Sequence, residues 1–326
     1  MPATEYQNIK ILLIGCGSIG KRHIRVLLEL GVTQIAACDP SSKQREEAQM
    51  IFSQIRLYED YKQALLEWNP HAVFILTPTA MHVEMALVAL YHNCHVFIEK
   101  PLSNTSQGVN KLRSMAEEKG LTVMVGFCFR YHEALVQAKK MVTDDNIGRL
   151  VNIRALMGEH FPTVQPNYLS MYYARYSGAF ELIHDLDLAI WFAAQKVEEV
   201  YSVYGSYSDI GISAPDSIEL LLKFKDRLAA SVHLDFYQIP RRRQLELIGT
   251  NGVITVEFAD WDNATLSYFT QENNRWEIQK FSTQRNDMFR DEDAEFLDAI
   301  QNRDEVSCTV EEAMKSLHVV ENVYTP

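Results

Sequence analysis

The chain has no long apolar run, few cysteines and no excess of basic charge, and each shortage removes a class of protein. No apolar stretch in the 326 residues approaches a bilayer span, and Met1 to Asn8 is too short and polar for a signal peptide. A cytoplasmic protein with no membrane partner is expected. The five cysteines (Cys16, Cys38, Cys94, Cys128, Cys308) are scattered, odd in number and never spaced C-x-x-C. That usage fits buried, reduced thiols and not a disulfide framework. With 43 acidic residues against 31 basic ones, the formal charge is -12, so nucleic acid is not an expected partner. No metal is expected either, because His92-Asn93-Cys94-His95 mixes turn and strand and no other ligand spacing appears. Internal repeats, low-complexity tracts and a flexible linker are also missing. What remains is 47% hydrophobic and 23% charged, enough chain for two domains with a core each.

The stretch that organises the rest is Ile9-Lys10-Ile11-Leu12-Leu13-Ile14-Gly15-Cys16-Gly17-Ser18-Ile19-Gly20. An apolar, β-branched run breaks at G-x-G-x-x-G, and Lys21 to Leu30 then reads as a helix. In a dinucleotide-binding unit the first glycine permits the tight turn, the second lets backbone approach the pyrophosphate, and the third lets helix pack on strand. Unpaired N–H groups at the helix start suit that anion. Ile35-Ala36-Ala37-Cys38-Asp39 supplies a second strand ending in a carboxylate, about twenty residues on, where an acid holds the ribose hydroxyls of NAD. Asp39 favours NAD by repelling a 2′-phosphate, while Ser41, Ser42 and Lys43 keep NADP possible.

Residues from Ile9 to about Gly126 alternate strands (Ile9–Ile14, Ile35–Cys38, Ala72–Leu76, His95–Ile98, Thr122–Gly126) with helices (Lys43–Phe52, Tyr61–Trp68, Ala80–Tyr91, Ser106–Lys119). This is the pattern of a doubly wound parallel sheet, whose ligands sit beyond the carboxyl ends of the strands. Thr77-Pro78 and Glu99-Lys100-Pro101 fall at that edge. After Gly126 a helix, Glu133–Val142, precedes long alternating strands: Leu150–Met157, Val197–Tyr207, Ser217–Phe224, Arg227–Phe236, Arg243–Gly249 and Val253–Phe258. Gly249-Thr250-Asn251-Gly252 is a hairpin turn. Ala179–Ala194, Asp291–Gln301 and Val310–Tyr324 read as helices. The expected fold is α/β in residues 1–126, followed over 127–326 by an α+β domain on a large, mostly antiparallel open sheet.

Several motifs together resemble the glucose-fructose oxidoreductase/inositol dehydrogenase (Gfo/Idh/MocA) family. They are Gly15-Cys16-Gly17-Ser18-Ile19-Gly20, Thr77-Pro78 with His82 following, His95-Val96-Phe97-Ile98-Glu99-Lys100-Pro101-Leu102, Gly126-Phe127-Cys128-Phe129-Arg130-Tyr131, Ile147-Gly148, and His184-Asp185-Leu186-Asp187. The resemblance covers nearly the whole chain. It implies an N-terminal Rossmann domain, a nicotinamide cofactor between the domains, and a C-terminal sheet that commonly pairs subunits, hence a homodimer or homotetramer. Where most relatives carry a triple glycine and then an aspartate, this chain has Ser177-Gly178-Ala179-Phe180-Glu181. Glu181, three residues before His184, would share its helix face and could replace that aspartate. Gly158-Glu159-His160-Phe161-Pro162 and Tyr173-Ala174-Arg175 look like a subgroup found with sugar and surface-polysaccharide metabolism.

Oxidising a secondary alcohol needs a base for the hydroxyl proton, and histidine suits the task because it titrates near working pH. His184 is the candidate; alone it would more simply be a core histidine. Lys100, at a strand tip, can hydrogen-bond the reacting oxygen and share the proton work; its bland reading is a surface lysine beside Glu99. Glu99 could orient Lys100 or touch the nicotinamide ribose. Asp187 is a supporting partner, a substrate ligand or a solvated helix residue. Arg130, Tyr131 and His132 could line the substrate pocket, and Tyr168, Tyr172, Tyr173 and Arg175 suit a sugar face, a phosphate or a subunit contact. Arg241-Arg242-Arg243 could hold an anionic substrate group but reads more simply as a solvated loop. The expected activity is an NAD(P)-dependent oxidoreductase acting on a carbohydrate or cyclitol. An NAD-recycling epimerase or lyase and a silent dinucleotide-sensing protein stay open.

Overall fold

A computed structural model describes residues 6–171, 175 and 177–324. By internal packing the chain divides into two compact units, one holding Met1–Cys128 and Phe289–Met314, the other Phe129–Met288 and Lys315–Pro326. Among the described residues, no helix is long and apolar enough to cross a membrane.

The first unit is built on six parallel strands: β1 (Lys10–Ile14), β2 (Gln34–Cys38), β3 (Arg56–Tyr58), β4 (Ala72–Ile75), β5 (His95–Glu99) and β6 (Val123–Gly126), in the order β3-β2-β1-β4-β5-β6. Helices α1 (Ser18–Glu29), α2 (Ser42–Ile51), α3 (Tyr61–Trp68), α4 (His82–Tyr91) and α5 (Val109–Lys119) make the crossovers. Their ends follow local chemistry. Ser41 and Asp60 cap α2 and α3 by accepting from Gln44 and Gln63 amides, and Gly120 closes α5 in the left-handed region at φ 63°. Asn93, just past α4, also sits left-handed, at φ 61°. The central strands are apolar on both faces and fully buried, as parallel strands covered by helices must be. Phe74 and Phe97 stack at 4.7 Å, each buried ring contributing roughly 1.5–3 kcal/mol, and Phe296 meets Phe74 edge-on at 5.4 Å.

Phe296 belongs to α9 (Arg285–Asn302), so a helix late in the chain supplies part of this core. Strand β3 was not expected: three residues with an exposed first position carry no apolar run.

The second unit holds an eight-stranded sheet ordered β14-β13-β12-β11-β7-β10-β9-β8. Its strands are β7 (Leu150–Gly158), β8 (Val197–Gly205), β9 (Ser217–Phe224), β10 (Ala229–Asp235), β11 (Arg242–Gly249), β12 (Gly252–Phe258), β13 (Asn263–Thr270) and β14 (Trp276–Ser282). Every neighbouring pair is antiparallel except β7 with β10. In β9, Ile218, Leu220, Leu222 and Phe224 are buried while Glu219, Leu221 and Lys223 are exposed, the period of a sheet with one face in a core. The other helices are α6 (Glu133–Thr143), the short α7 (Phe161–Val164), α8 (His184–Ala193) and α10 (Val310–Tyr324).

The helix expected over Ala179–Ala194 is broken. Gly178–Leu182 forms a tighter 3-10 segment, and α8 begins only at His184. Gly178 fixes where the 3-10 segment begins: it is left-handed at φ 55°, and a Cβ there would lie 2.2 Å from the Pro215 carbonyl oxygen. That carbonyl accepts from the Ala179 amide at 2.9 Å, pinning the segment. Glu181 and His184 stand three apart on right-handed helical backbone, 3-10 and then α, where side chains three apart stay on one side.

Candidate active site

In the first unit, β1, β4 and β5 are adjacent and parallel, so their carboxyl ends bring Gly15, Thr77 and Lys100 to one edge. The glycines there have different jobs. Gly15 is left-handed at φ 110°, and a Cβ would meet the Leu76 carbonyl oxygen at 2.5 Å; at Gly20 it would meet the Gly15 carbonyl oxygen at 2.0 Å. At Gly17 a Cβ would meet nothing within 4 Å. Gly17 also starts α1 without any side-chain cap. The helix amides thus face open space beside Ser18 and Ile19, a cradle that fits a pyrophosphate. Asp39 closes the cradle: its carboxylate accepts from the Cys16 amide at 2.8 Å and the Ser41 amide at 2.9 Å, and is still partly exposed. The Cys16 side chain faces the core, where burial and then Asp39 push its thiol pKa up to about 12. Only its main chain belongs to the turn.

His82 is turned inward. Its ring nitrogens lie 2.8 Å from the Thr77 carbonyl and 2.9 Å from the Pro101 carbonyl, so the ring ties the tip of β4 to that of β5. Burial pushes its pKa down. Thr77 also donates its hydroxyl to Met85 Sδ at 3.6 Å, and Pro78 leads into a 3-10 turn at Thr79–Met81. Glu99 is half-buried, with burial pushing its carboxyl pKa up, and Oε2 accepts from the Lys100 amide at 2.6 Å. Lys100 itself is partly exposed, and its bond to Pro101 is cis.

In the second unit, His184 opens α8 and its ring lies 4.9 Å from that of Phe129. The two aspartates of His184-Asp185-Leu186-Asp187 are each engaged. Arg130 grips Asp187 through Nε at 2.8 Å and Nη2 at 2.6 Å, and Arg243 grips Asp185 at 3.0 and 2.7 Å. All four side chains are buried. The structure therefore sets Arg130 and Asp187 against each other, and Asp187 is not a solvated helix residue. Nor is Arg243 part of a solvated loop. It lies in β11 with its guanidinium 3.5 Å from the Phe129 ring, whereas Arg242 is exposed. Sequence reasoning missed the Arg243–Asp185 pair, which spans 58 positions. His132 caps α6, accepting from the Ala134 amide at 3.2 Å, and burial followed by Arg243 pushes its pKa down to about 4. Tyr131 is half-buried beside it.

Tyr168 donates its hydroxyl to the Ile210 carbonyl at 2.5 Å and packs against Phe161 and Phe236. Arg175 is exposed, while Tyr172 and Tyr173 lie outside the described residues.

Residues 9–127 match the oxidoreductase family with an NAD-binding Rossmann fold, and residues 135–255 match the GFO/IDH/MocA C-terminal domain. The chain belongs to the GFO/IDH/MocA family. It is an oxidoreductase whose cofactor is NAD. The oxidoreductase YrbE of Bacillus subtilis is 25% identical over 324 residues, covering 93% of this chain and 90% of that protein. Inositol 2-dehydrogenase of Salmonella typhimurium is 27% identical over 199 residues, covering 59% of this chain and 57% of that enzyme. The crystal structure of myo-inositol 2-dehydrogenase from Lactobacillus plantarum superposes with a TM-score of 0.81 at 26% identity, covering 96% of this chain and 95% of the other. Levoglucosan dehydrogenase, solved with NADH and levoglucosan, shares the fold at a TM-score of 0.86 and 20% identity, covering 97% and 96%.

Proposed function

We propose that this GFO/IDH/MocA member oxidises a secondary hydroxyl of a sugar, sugar derivative or cyclitol, or reduces the matching ketone. The observation that carries the reading is the uncapped start of α1 in front of Gly17, together with Asp39, on the same strand-end edge as Lys100. The turn Gly15–Gly20 would hold the pyrophosphate and Asp39 the adenosine ribose. NAD, when bound, supplies the hydride acceptor. Lys100 hydrogen-bonds the reacting oxygen and stabilises its developing charge, and His184 takes the hydroxyl proton. Glu99 and His82 fix the strand tips, and the paired Arg130–Asp187 and Arg243–Asp185 fix the start of α8. Names of relatives, inositol and levoglucosan dehydrogenases among them, support the substrate class.

In this reading residues 1–126 bind cofactor and residues 127–326 bind substrate and a second subunit, in the cytoplasm. Tyr201, Val203 and Leu221 at one end of the sheet, and Trp276 and Ile278 at the other, are exposed apolar side chains that support a homodimer or homotetramer formed there.

The test is a sugar and cyclitol panel with NAD and NADP, read by reduced-nicotinamide absorbance. On an active substrate, Lys100→Met and His184→Ala lower kcat by about two to four orders of magnitude with NAD affinity retained. Wild-type kcat in both variants refutes the roles, and NAD binding without turnover on any substrate favours a dinucleotide-sensing protein.

A further inference from the structure

Three consecutive arginines lead into β11, and they differ in what they touch. Arg242 is exposed, while Arg241 and Arg243 on either side of it turn inward, as alternate residues of an extended chain do. The fork of Arg243 is filled by Asp185, as that of Arg130 is by Asp187. Arg241 has no such bidentate partner. Its Nε, Nη1 and Nη2 are all buried, and no group among the described residues hydrogen-bonds any of them. Glu159 lies opposite, also largely buried, but its Oε2 is 3.6 Å from Nε, an ion pair too long for a hydrogen bond. Glu159 thus holds the guanidinium in place and leaves its five N–H donors open. A guanidinium cannot shed its charge, and buried donors are nearly always hydrogen-bonded in a folded protein. An arginine kept this way lowers stability unless something outside the chain completes it.

Its surroundings connect it with the ring proposed to take the substrate proton. The Arg241 guanidinium lies 5.4 Å from the Trp261 ring, and that of Arg285 lies 4.1 Å from the same ring. Trp261 meets Phe129 at 5.4 Å, and Phe129 meets His184 at 4.9 Å. One aromatic row therefore runs from His184 to Arg241. Two guanidiniums that share one indole repel each other, and an anion brought to them relieves that repulsion. The nearby acids are already engaged. Asp185 is gripped by Arg243, and Asp260, next to Trp261, accepts from the Asp262 and Asn263 amides of its own turn.

We infer that Arg241 is a substrate-binding residue: it takes an oxyanion borne by the sugar, a carboxylate or a phosphate, so the preferred substrate is an acidic sugar. The inference rests on the proposed sugar and cyclitol dehydrogenase reading and narrows it. A planar fork of N–H donors suits both oxyanions, which accept two parallel hydrogen bonds, and a neutral hydroxyl cannot match them. A rotamer change of the long side chain brings the donors to the ligand. Away from bulk water, each such bond is stronger than on the surface.

The test extends the sugar and cyclitol panel to matched pairs: a hexose with its uronate, and the same hexose with its phosphate. The quantity read is the ratio of kcat/KM for the acid to that for its neutral partner. Because both values come from one preparation, any unfolded fraction cancels. In wild type the acid is favoured about 10- to 150-fold, the worth of one charge-assisted hydrogen bond. In Arg241→Gln the ratio falls to about one. A fall for uronates identifies the carboxylate, and a fall for sugar phosphates the phosphate. Arg242→Gln, which removes an exposed charge from the same run, keeps the wild-type ratio. Three results overturn the inference and leave the dehydrogenase reading standing: turnover without acid preference in wild type, a preference that Arg241→Gln leaves unchanged, or an equal fall in Arg242→Gln. Absence of turnover on every neutral and acidic sugar, with NAD still bound, overturns both.

Discussion

Replacing single glycines of the first turn with alanine separates binding from folding. At Gly17 the backbone is at φ -65° and ψ -167°, open to any L residue, and a new Cβ meets nothing within 4 Å. The ligand-free protein should tolerate Gly17→Ala, and lost freedom of the unfolded chain should raise stability by about 0.4–1 kcal/mol. The methyl group instead enters the space in front of α1. Losing one charge-assisted hydrogen bond between helix amides and pyrophosphate costs about 1.5–3 kcal/mol, which raises the Kd for NAD about 10- to 150-fold. Gly20→Ala should do the opposite. Its Cβ would sit 2.0 Å from the Gly15 carbonyl oxygen, main chain that no rotamer change can relieve. Overpacking of this kind costs about 1–3 kcal/mol or more even without bound ligand. Calorimetric titration with NAD and thermal melts without it read the two effects. A Gly17→Ala protein that binds NAD like wild type refutes the reasoning about the cradle. A Gly20→Ala protein that melts like wild type refutes the reasoning about the turn.

Two further outcomes follow from the second unit. Asp185→Asn leaves the buried Arg243 without its carboxylate. That should cost about 3–5 kcal/mol, on the order of 10 °C in melting temperature, while Asp185→Leu/Arg243→Met should recover most of it; scanning calorimetry that finds the double variant worse than either single one contradicts this. His132 is held at a pKa of about 4 against an ordinary 6.5. A depressed histidine contributes stability that is fully present above its unfolded pKa and lost as pH falls toward the folded one, about 3 kcal/mol over this span. Urea unfolding at about pH 7 and about pH 4.5 should therefore show a smaller acid loss in His132→Asn than in wild type. Equal losses would count against burial as the cause.

The glycine turn, the strand tips at Thr77 and Glu99-Lys100, and most strands were legible because their signals are local: a fixed spacing, an apolar run, a capping residue. Strand β13 carried such a signal in the alternation of Ala264 and Leu266, both buried, and could have been found. Strand β14 could not, since Trp276 and Ile278 point out of the core and reverse the usual pattern. The break before α8 escaped for a different reason. Residues 179–194 are good helix formers, and the change from a 3-10 to an α turn at Ile183 leaves no mark in that string. Charge pairing was the least legible of all. Arg130 and Asp187 are 57 positions apart, and His23 and Asp293 are 270 apart, so nothing in either neighbourhood announces the other.

These pairs also change how the His-Asp-Leu-Asp motif should be understood. Read as a string, it offers three titratable groups at the head of one helix, any of which could handle a proton. In the fold both carboxylates are buried and fully occupied by arginines, so neither is placed to accept a proton from a ligand. His184 is the member that keeps partial exposure. The arginines reach it indirectly as well. Arg243 stacks on Phe129 at 3.5 Å, and Phe129 in turn packs against the His184 ring at 4.9 Å. One guanidinium thus restrains the helix through Asp185 and the imidazole through Phe129. Two ion pairs that would be a doubtful source of stability by themselves make sense as the means of holding one ring at the start of α8.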